Sequence, residues 1–251
     1  MERLTSLWSG NKIVLVGASA LSCFLDMNWR QTHDLDVSVA ISLEQYPRAL
    51  TTLAGWTKDP MLEPRWHSPD GVRVDIIPAG TEELVARRVV WPETQWLMNL
   101  TGFRLAFERA IVVEIGKGVS IRVAPPEVVV LLKMVAYQDR PQERERDLED
   151  IGHVLDRLVE ADADERFTDK IIEKAIAYEL ISPYVVGKRL SLVVNSEERR
   201  SVMEFMKKVQ NEDDADLTQV KMASANPWRG DAEALLGAIR AFSEGFAPRA
   251  M

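Results

Sequence analysis

With 251 residues and a formal net charge of −8, the chain is long enough to bury one large core or two modest ones. The negative charge argues against a broad basic surface for nucleic acid, although it leaves room for a local basic groove. The single cysteine, Cys23, excludes an internal disulfide framework, and no stretch has the length and apolar character of a membrane span. We therefore expect a cytoplasmic protein.

The first half of the chain begins with a strand, a helix and a second strand. Residues 12–17, KIVLVG, form a short apolar run rich in β-branched residues, which predicts a buried strand. Ser19 is placed to cap a helix over residues 20–27. The next segment alternates strictly, so Asp34 and Asp36 share one face of a predicted strand while the apolar residues between them face the other way.

Turn sequences mark a further helix and two hairpins. Ser42 begins a predicted helix that ends at Gly55. The sequence PDG at residues 69–71 predicts a turn into the strand VRVDII, on whose polar face Asp75 lies. A second hairpin is predicted with its turn at residues 116–118.

The pattern becomes helical after Pro125 and Pro126, because proline breaks strands and begins helices. Apolar residues at helical spacing predict helices over residues 127–139, 146–159, 168–179, 183–194, 196–209 and 231–243. We therefore predict an α/β fold with a small mixed-sheet domain over residues 1–124 and an α-helical domain over residues 125–251.

Asp34 and Asp36 need an explanation, because a carboxylate is costly to bury unless it is paired or binds a metal. Side chains at i and i+2 of a strand project to the same side, so these two charges converge and repel. Mg²⁺ would remove the repulsion, and Asp75 could supply a third carboxylate if its strand is a neighbour. Three carboxylates can hold two metal ions about 4 Å apart, as in nucleotidyl transfer. The alternative is a solvated strand face.

The segment Gly17-Ala18-Ser19 lies between the first strand and its helix. Small residues there let the backbone approach a phosphate, and the first N–H groups of a helix attract anions. Small residues also serve simple turns. A backbone segment that can bind phosphate, followed by carboxylates that can bind a metal, is nevertheless what a metal–triphosphate complex requires.

The motifs together resemble a known family. The segments VLVGASAL (14–21), RQTHDLDVSV (30–39) and VRVDIIP (72–78) resemble the polymerase-β-type nucleotidyltransferase superfamily. In the helical half, PPEVVVLLKMVAYQDR (125–140) and RERDLEDI (144–151) resemble the AbiEii/AbiGii toxin family. That family is the nucleotidyltransferase component of bacterial abortive-infection toxin–antitoxin pairs.

The resemblance implies roles for the matched residues of the first half. Gly17 and Ser19 would hold the phosphates of the nucleotide. Asp34 and Asp36 would ligate metal, and Asp75 would activate the acceptor hydroxyl as a metal ligand or general base.

Residues around these positions are interpreted from the same resemblance. Arg30 and Thr32 match the family's polar approach to the D-x-D and would orient that loop. His33 is out of phase with the two aspartates and is not expected to be a ligand. Ala18 stands where the family has a second glycine, and alanine disfavours positive φ.

Lys133 interrupts the apolar run VVVLLKMVAY, where a structural lysine would extend its ammonium group to the surface. The resemblance favours instead a lysine that faces the phosphates, with Arg140 extending the same cationic helix face. Asp147 and Asp150, three residues apart, either belong to this nucleotide site or stabilise a helix dipole.

The implied activity is Mg²⁺-dependent transfer of a nucleoside monophosphate from an NTP to an acceptor hydroxyl. The resemblance implies a toxin that acts on RNA, with tRNA favoured, and an antitoxin encoded beside it. One alternative is a small-molecule, antibiotic-modifying nucleotidyltransferase with the same core. The other is a catalytically silent module that binds a nucleotide or a partner protein. A basic surface beside Asp34 and Asp36 would favour RNA, and an acidic one a cationic drug.

Overall fold

The computed structural model describes residues 10, 12–29, 34–51, 53–116, 118–160, 165–166, 168, 171, 174–225 and 227–247. The chain divides into two compact units, Met1–Pro125 and Pro126–Met251. The first contains a mixed β-sheet with short helices, and the described part of the second is helical. The predicted α/β class, with a mixed sheet followed by helices, is confirmed.

The strands of the first unit form one sheet and a separate hairpin. They are β1 (Ile13–Val16), β2 (Asp34–Val39), β3 (Thr57–Lys58), β4 (Arg65–His67), β5 (Arg73–Pro78), β6 (Arg88–Val90), β7 (Leu97–Asn99), β8 (Ile111–Glu114) and β9 (Ser120–Val123). The sheet has the strand order β3-β4-β5-β2-β1-β9-β8, and β6 pairs with β7. The helices of this unit are α1 (Gly17–Leu21), α2 (Tyr46–Leu50), α3 (Thr81–Ala86) and α4 (Phe103–Arg109).

The centre of the sheet is apolar at one end and polar at the other. Strand β2 runs antiparallel to β1 and parallel to β5. Every residue of β1 is buried, whereas β2 and β5 begin with partly exposed residues and end with three buried ones. Because β2 and β5 are parallel and in register, their polar first halves lie at the same end of the sheet.

The structure corrects the predicted helix over residues 20–27. The helix begins at once after β1 and spans only Gly17–Leu21, because Gly17 turns the chain with a positive φ of 67°. Val16 rather than Ser19 occupies the N-cap position. The helix predicted between Ser42 and Gly55 is likewise shorter, Tyr46–Leu50. Both predicted hairpins, β4–β5 and β8–β9, are confirmed.

The second unit begins with a largely buried helix, and several of the other described helices pack against it. They are α5 (Pro126–Asp139), α6 (Glu145–Arg157), α7 (Ile181–Ser191), α8 (Ser196–Gln210), α9 (Thr218–Ser224) and α10 (Ala232–Phe246). Residues 128–135 of α5 are all buried, which explains their unbroken apolar run apart from Lys133. The predicted helix 168–179 is wrong at its described end, where residues 174–177 are not helical and Tyr178–Leu180 form a short 3-10 helix, and several of its other residues lie outside the described part. Helix α9 was not predicted. None of the described helices has the length and apolar character needed to cross a membrane.

Glycines bring α7 and α10 into backbone contact. A Cβ atom at Gly187 of α7 would collide with the carbonyl oxygen of Phe242, and one at Gly245 of α10 would collide with that of Tyr184. Only glycine permits so close an approach of two helices.

Candidate active site

The register of β2 and β5 places the three predicted carboxylates on one face of the sheet. Asp36 lies beside Asp75 across the parallel strand pair, and Asp34 lies two residues before Asp36. Residues paired in register in a parallel sheet project to the same side, as do residues i and i+2 of one strand. The sheet therefore brings Asp34, Asp36 and Asp75 to one polar end.

Two arginines on the same face pair with these carboxylates. Arg65 of β4 is in register with Asp75, and Arg73 of β5 is in register with Asp34. Arg65 donates from Nε to Asp75 Oδ1 at 2.8 Å and from Nη2 to Asp75 Oδ2 at 2.9 Å. The same Nη2 donates to Asp34 Oδ2 at 3.2 Å. The hydrogen bond with Asp75 raises the pKa of Arg65 further, so its guanidinium stays charged.

The other oxygen of Asp34 is less well satisfied. Arg73 Nε lies 2.7 Å from Asp34 Oδ1, which is an ion-pair distance, yet this buried oxygen accepts no hydrogen bond. Mg²⁺ prefers oxygen ligands. Asp34 Oδ1, which lacks a hydrogen-bond donor, and the carboxylates of Asp36 and Asp75 are ligands of this type. As the side chains stand, however, the described residues contain no group of three His, Cys, Asp or Glu side chains arranged to hold a metal ion. The donor chemistry fits a hard cation, and the metal-ligand role stays a prediction.

Gly17 and Ser19 lie against the two aspartates of β2. A Cβ atom at Gly17 would collide with Asp36 Oδ2, so only glycine fits beside this carboxylate. Ser19 is buried, and its Oγ donates a 2.6 Å hydrogen bond to the backbone carbonyl of Asp34. Ala18 lies inside α1 and has no positive φ. The positive φ falls on Gly17 alone, so the alanine causes no backbone strain here.

A cleft opens beside these residues. Its volume is about 500 Å³, and Ser19, Asp34 and Arg73 line it together with residues 70–72. The side chain of Arg73 is 41% exposed and that of Asp34 is 31% exposed, so both are within reach of a ligand.

A second predicted group assembles within the helical unit. Lys133 of α5 is buried, and its Nζ lies 2.6 Å from Asp147 Oδ1 and 2.8 Å from Asp150 Oδ2 of α6. Burial alone would lower the pKa of Lys133, but the attraction of Asp147 and Asp150 outweighs it and raises the pKa. The ammonium group therefore forms a buried ion cluster and does not extend to the surface.

Arg140 is not a member of this cluster. It follows the last residue of α5 and pairs with Glu143 through Nη1 at 2.9 Å, with 27% of its side chain exposed. The predicted roles of Arg30, Thr32 and His33 concern residues outside the part of the chain that the structure describes.

The comparisons with known proteins identify the family. The profile of the family described as nucleotidyl transferase AbiEii toxin, type IV TA system, matches residues 6–241. The chain belongs to this family. It is a nucleotidyltransferase, and its family comprises toxins that are paired with antitoxins.

A solved structure gives a weaker comparison. A protein from H. pylori, provisionally described as a nucleotidyltransferase, is 14% identical in sequence, with a TM-score of 0.28. The match covers 78% of this chain and 95% of that one. No curated protein is significantly similar to the chain.

Arg65 and Arg73 were not predicted as site residues. Arg73 precedes Asp75 by two residues, so strand alternation already puts it on the carboxylate face. The position of Arg65 could be inferred from the hairpin. A turn at residues 69–71 that pairs His67 with Arg73 also pairs Arg65 with Asp75. The sequence signal was the register of the hairpin and not a motif.

Proposed function

We propose that this nucleotidyltransferase transfers a nucleoside monophosphate from an NTP to a hydroxyl of RNA, with tRNA as the favoured acceptor, in an Mg²⁺-dependent reaction. The observation that carries the proposal is the register of β2 with β5, which sets Asp36 beside Asp75 and puts Asp34 on the same face. Carboxylates on two adjacent strands offer the oxygen donors that Mg²⁺ prefers.

In the proposed reaction the acceptor oxygen forms a bond to the α-phosphorus while the bond from that phosphorus to the bridging oxygen breaks. Pyrophosphate is the leaving group, and Asp75 takes the proton of the attacking hydroxyl or helps to hold the metal. Asp34 and Asp36 would ligate Mg²⁺, which when bound neutralises phosphate charge and aligns the attacking oxygen. Gly17 and Ser19, which lie against these two aspartates, would contact the phosphates.

The helical unit contributes further residues to the proposal. An ammonium group has three donors, and Lys133 directs two of them toward Asp147 and Asp150. We propose, from the family resemblance, that Lys133, Asp147 and Asp150 take part in nucleotide binding, with the two carboxylates fixing the position of the ammonium group. Arg140 would add positive charge near the end of the same helix.

The acceptor and the setting follow from charge and family. The partly exposed guanidinium of Arg73 beside Asp34 supports a phosphate-bearing acceptor over a cationic drug. Family membership supports a toxin role. We propose that the protein acts in the cytoplasm and that an antitoxin is encoded beside it.

The decisive experiment compares Asp36→Asn with wild type. This change removes one charge and keeps the size of the side chain, so stability should change by less than about 1 kcal/mol. Transfer of label from each α-labelled NTP to total RNA should be lost, and growth inhibition should disappear with it. Asp26→Asn, at an exposed aspartate, is the matched control and should leave both measurements unchanged.

The alternatives give different results. Equal toxicity of wild type and Asp36→Asn would support a binding module and contradict the proposal. Label transfer only to aminoglycoside acceptors, with none to RNA, would support the antibiotic-modifying alternative.

A further inference from the structure

We propose that Arg65 is an internal counter-cation: in the metal-free protein it holds the carboxylate oxygens that a divalent cation needs, and its guanidinium must leave Asp34 before the cation binds. This inference rests on the proposed metal site and concerns how that site is controlled.

The first step of the argument is the occupancy of the carboxylate oxygens. Each of the four oxygens of Asp34 and Asp75 has an arginine nitrogen within 3.2 Å, and Arg65 accounts for three of those oxygens. Only 18% of the Arg65 side chain is exposed, as is 18% of the Asp75 side chain. The guanidinium therefore bridges two strands in a shielded position, and no free carboxylate cluster exists among the described residues.

The second step is charge. Three carboxylates on one face of the sheet repel one another, and Arg65 and Arg73 offset two of the three negative charges. A divalent cation bound by the same oxygens would bring two more positive charges next to a guanidinium that cannot lose its proton. Arg65 and the cation therefore compete, and the affinity of the free protein for the cation is lower than its carboxylates alone would give.

The third step is geometry, which indicates where the competition is resolved. Arg65 holds Asp75 through two short hydrogen bonds, a bidentate pair of the strong kind. It holds Asp34 through a single, longer hydrogen bond of 3.2 Å. Release from Asp34 is therefore the easier movement, and Arg65 can stay on Asp75 while Asp34 turns to the cation.

The test measures binding of Mn²⁺ alone, as a paramagnetic substitute for Mg²⁺, to purified full-length protein without nucleotide. Removing the competitor in Arg65→Gln should tighten Mn²⁺ binding by about tenfold, the effect of one charge-assisted hydrogen bond. The melting temperature of metal-free Arg65→Gln should be lower than that of wild type, and it should rise more on addition of Mn²⁺. Arg104→Gln, at an exposed arginine of α4 that pairs with Glu108, is the matched control and should match wild type.

A second variant covers the case in which Arg65→Gln does not fold. Arg65→Lys keeps the charge but cannot form the bidentate pair, so it should bind Mn²⁺ more tightly than wild type by a smaller factor. Unchanged or weaker Mn²⁺ binding in the folded Arg65 variants, with normal binding by wild type, would overturn the inference and leave the proposed function intact. No Mn²⁺ binding by any of these proteins would overturn it as well and would remove the metal from the proposed function.

Discussion

Gly17 lies directly against the carboxylate of Asp36. Its φ of +67° is in the left-handed region, and a Cβ atom there would collide with Asp36 Oδ2. The tight turn that ends β1 therefore depends on glycine for two reasons, its positive φ and the closeness of the Asp36 carboxylate on β2.

Replacing Gly17 by alanine should damage transfer more than folding. The left-handed backbone should cost the variant about 1–2 kcal/mol of unfolding free energy. The collision should also displace the Asp36 carboxylate and abolish label transfer to RNA. Gly116→Ala is the matched control, since φ is also positive there and nothing lies within 4 Å of the added Cβ. Retained transfer in Gly17→Ala would contradict this account.

Removing Lys133 should strongly destabilise the helical unit. Lys133→Met leaves the carboxylates of Asp147 and Asp150 buried without their ammonium partner, so we expect a loss of about 3–5 kcal/mol in urea unfolding. Arg140→Met removes a partly exposed cation and should cost less than about 1 kcal/mol. Combining Lys133→Met with Asp147→Asn and Asp150→Asn should recover much of the lost stability. A triple variant as unstable as Lys133→Met would show that charge is not the cause.

His153 should make the protein less stable in acid. This histidine is fully buried in α6, and burial, helped by the nearby charge of Arg157, lowers its pKa from 6.5 to about 4. Between these values the unfolded chain binds the proton and the folded one does not. The contribution of His153 to the free energy of unfolding is therefore complete above pH 6.5. It is lost as the pH falls toward 4, a loss of about 3 kcal/mol in total.

The pH dependence can be assigned with one variant. In His153→Gln the slope of unfolding free energy against pH, measured between pH 4.5 and 6, should be smaller by about 1.4 kcal/mol per pH unit. The same slope in wild type and variant would show that other groups dominate the acid sensitivity.

The glycines between α7 and α10 should differ sharply in tolerance. Gly245→Ala forces the two backbones apart and should cost about 1–3 kcal/mol, as overpacked sites do. Gly237→Ala, on the same helix, meets only ordinary contacts at 3.8 Å and beyond, and should be neutral or stabilising by up to about 1 kcal/mol. Thermal melts of both variants test the close approach, and similar effects of the two substitutions would contradict it.

Much of the sheet could be predicted because its signals are local. Alternation around Asp34 and Asp36 and the turn before Arg73 define two strands and their polar faces without tertiary information. The helix after β1 was placed wrongly because its start depends on the φ of Gly17, which the adjacent carboxylate constrains. Helix α9 escaped prediction because it has only seven residues, too few for a clear periodicity.

The candidate site was harder to predict, because the charged residues that pair with one another there come from different strands and helices. The sequence shows that Lys133 interrupts an apolar run, but the choice between surface exposure and an ion cluster depends on how α6 packs against α5. Arg65 likewise has no motif, and its part in the site depends on the register of two strands. Local pattern identified the carboxylates and placed Arg73 on their face, whereas the pairing of Arg65 with Asp75 and Asp34 required the fold.

The hairpin of β4 and β5 has a consequence for the order of folding. Arg65 and Asp75 are ten residues apart, so this pair closes a short loop, whereas the pairing of β2 with β5 closes a much longer one at a greater cost in chain entropy. We expect the guanidinium to be in place on Asp75 when β2 brings Asp34 and Asp36 alongside. The newly synthesised chain can therefore bring its three acids together before it meets any divalent cation.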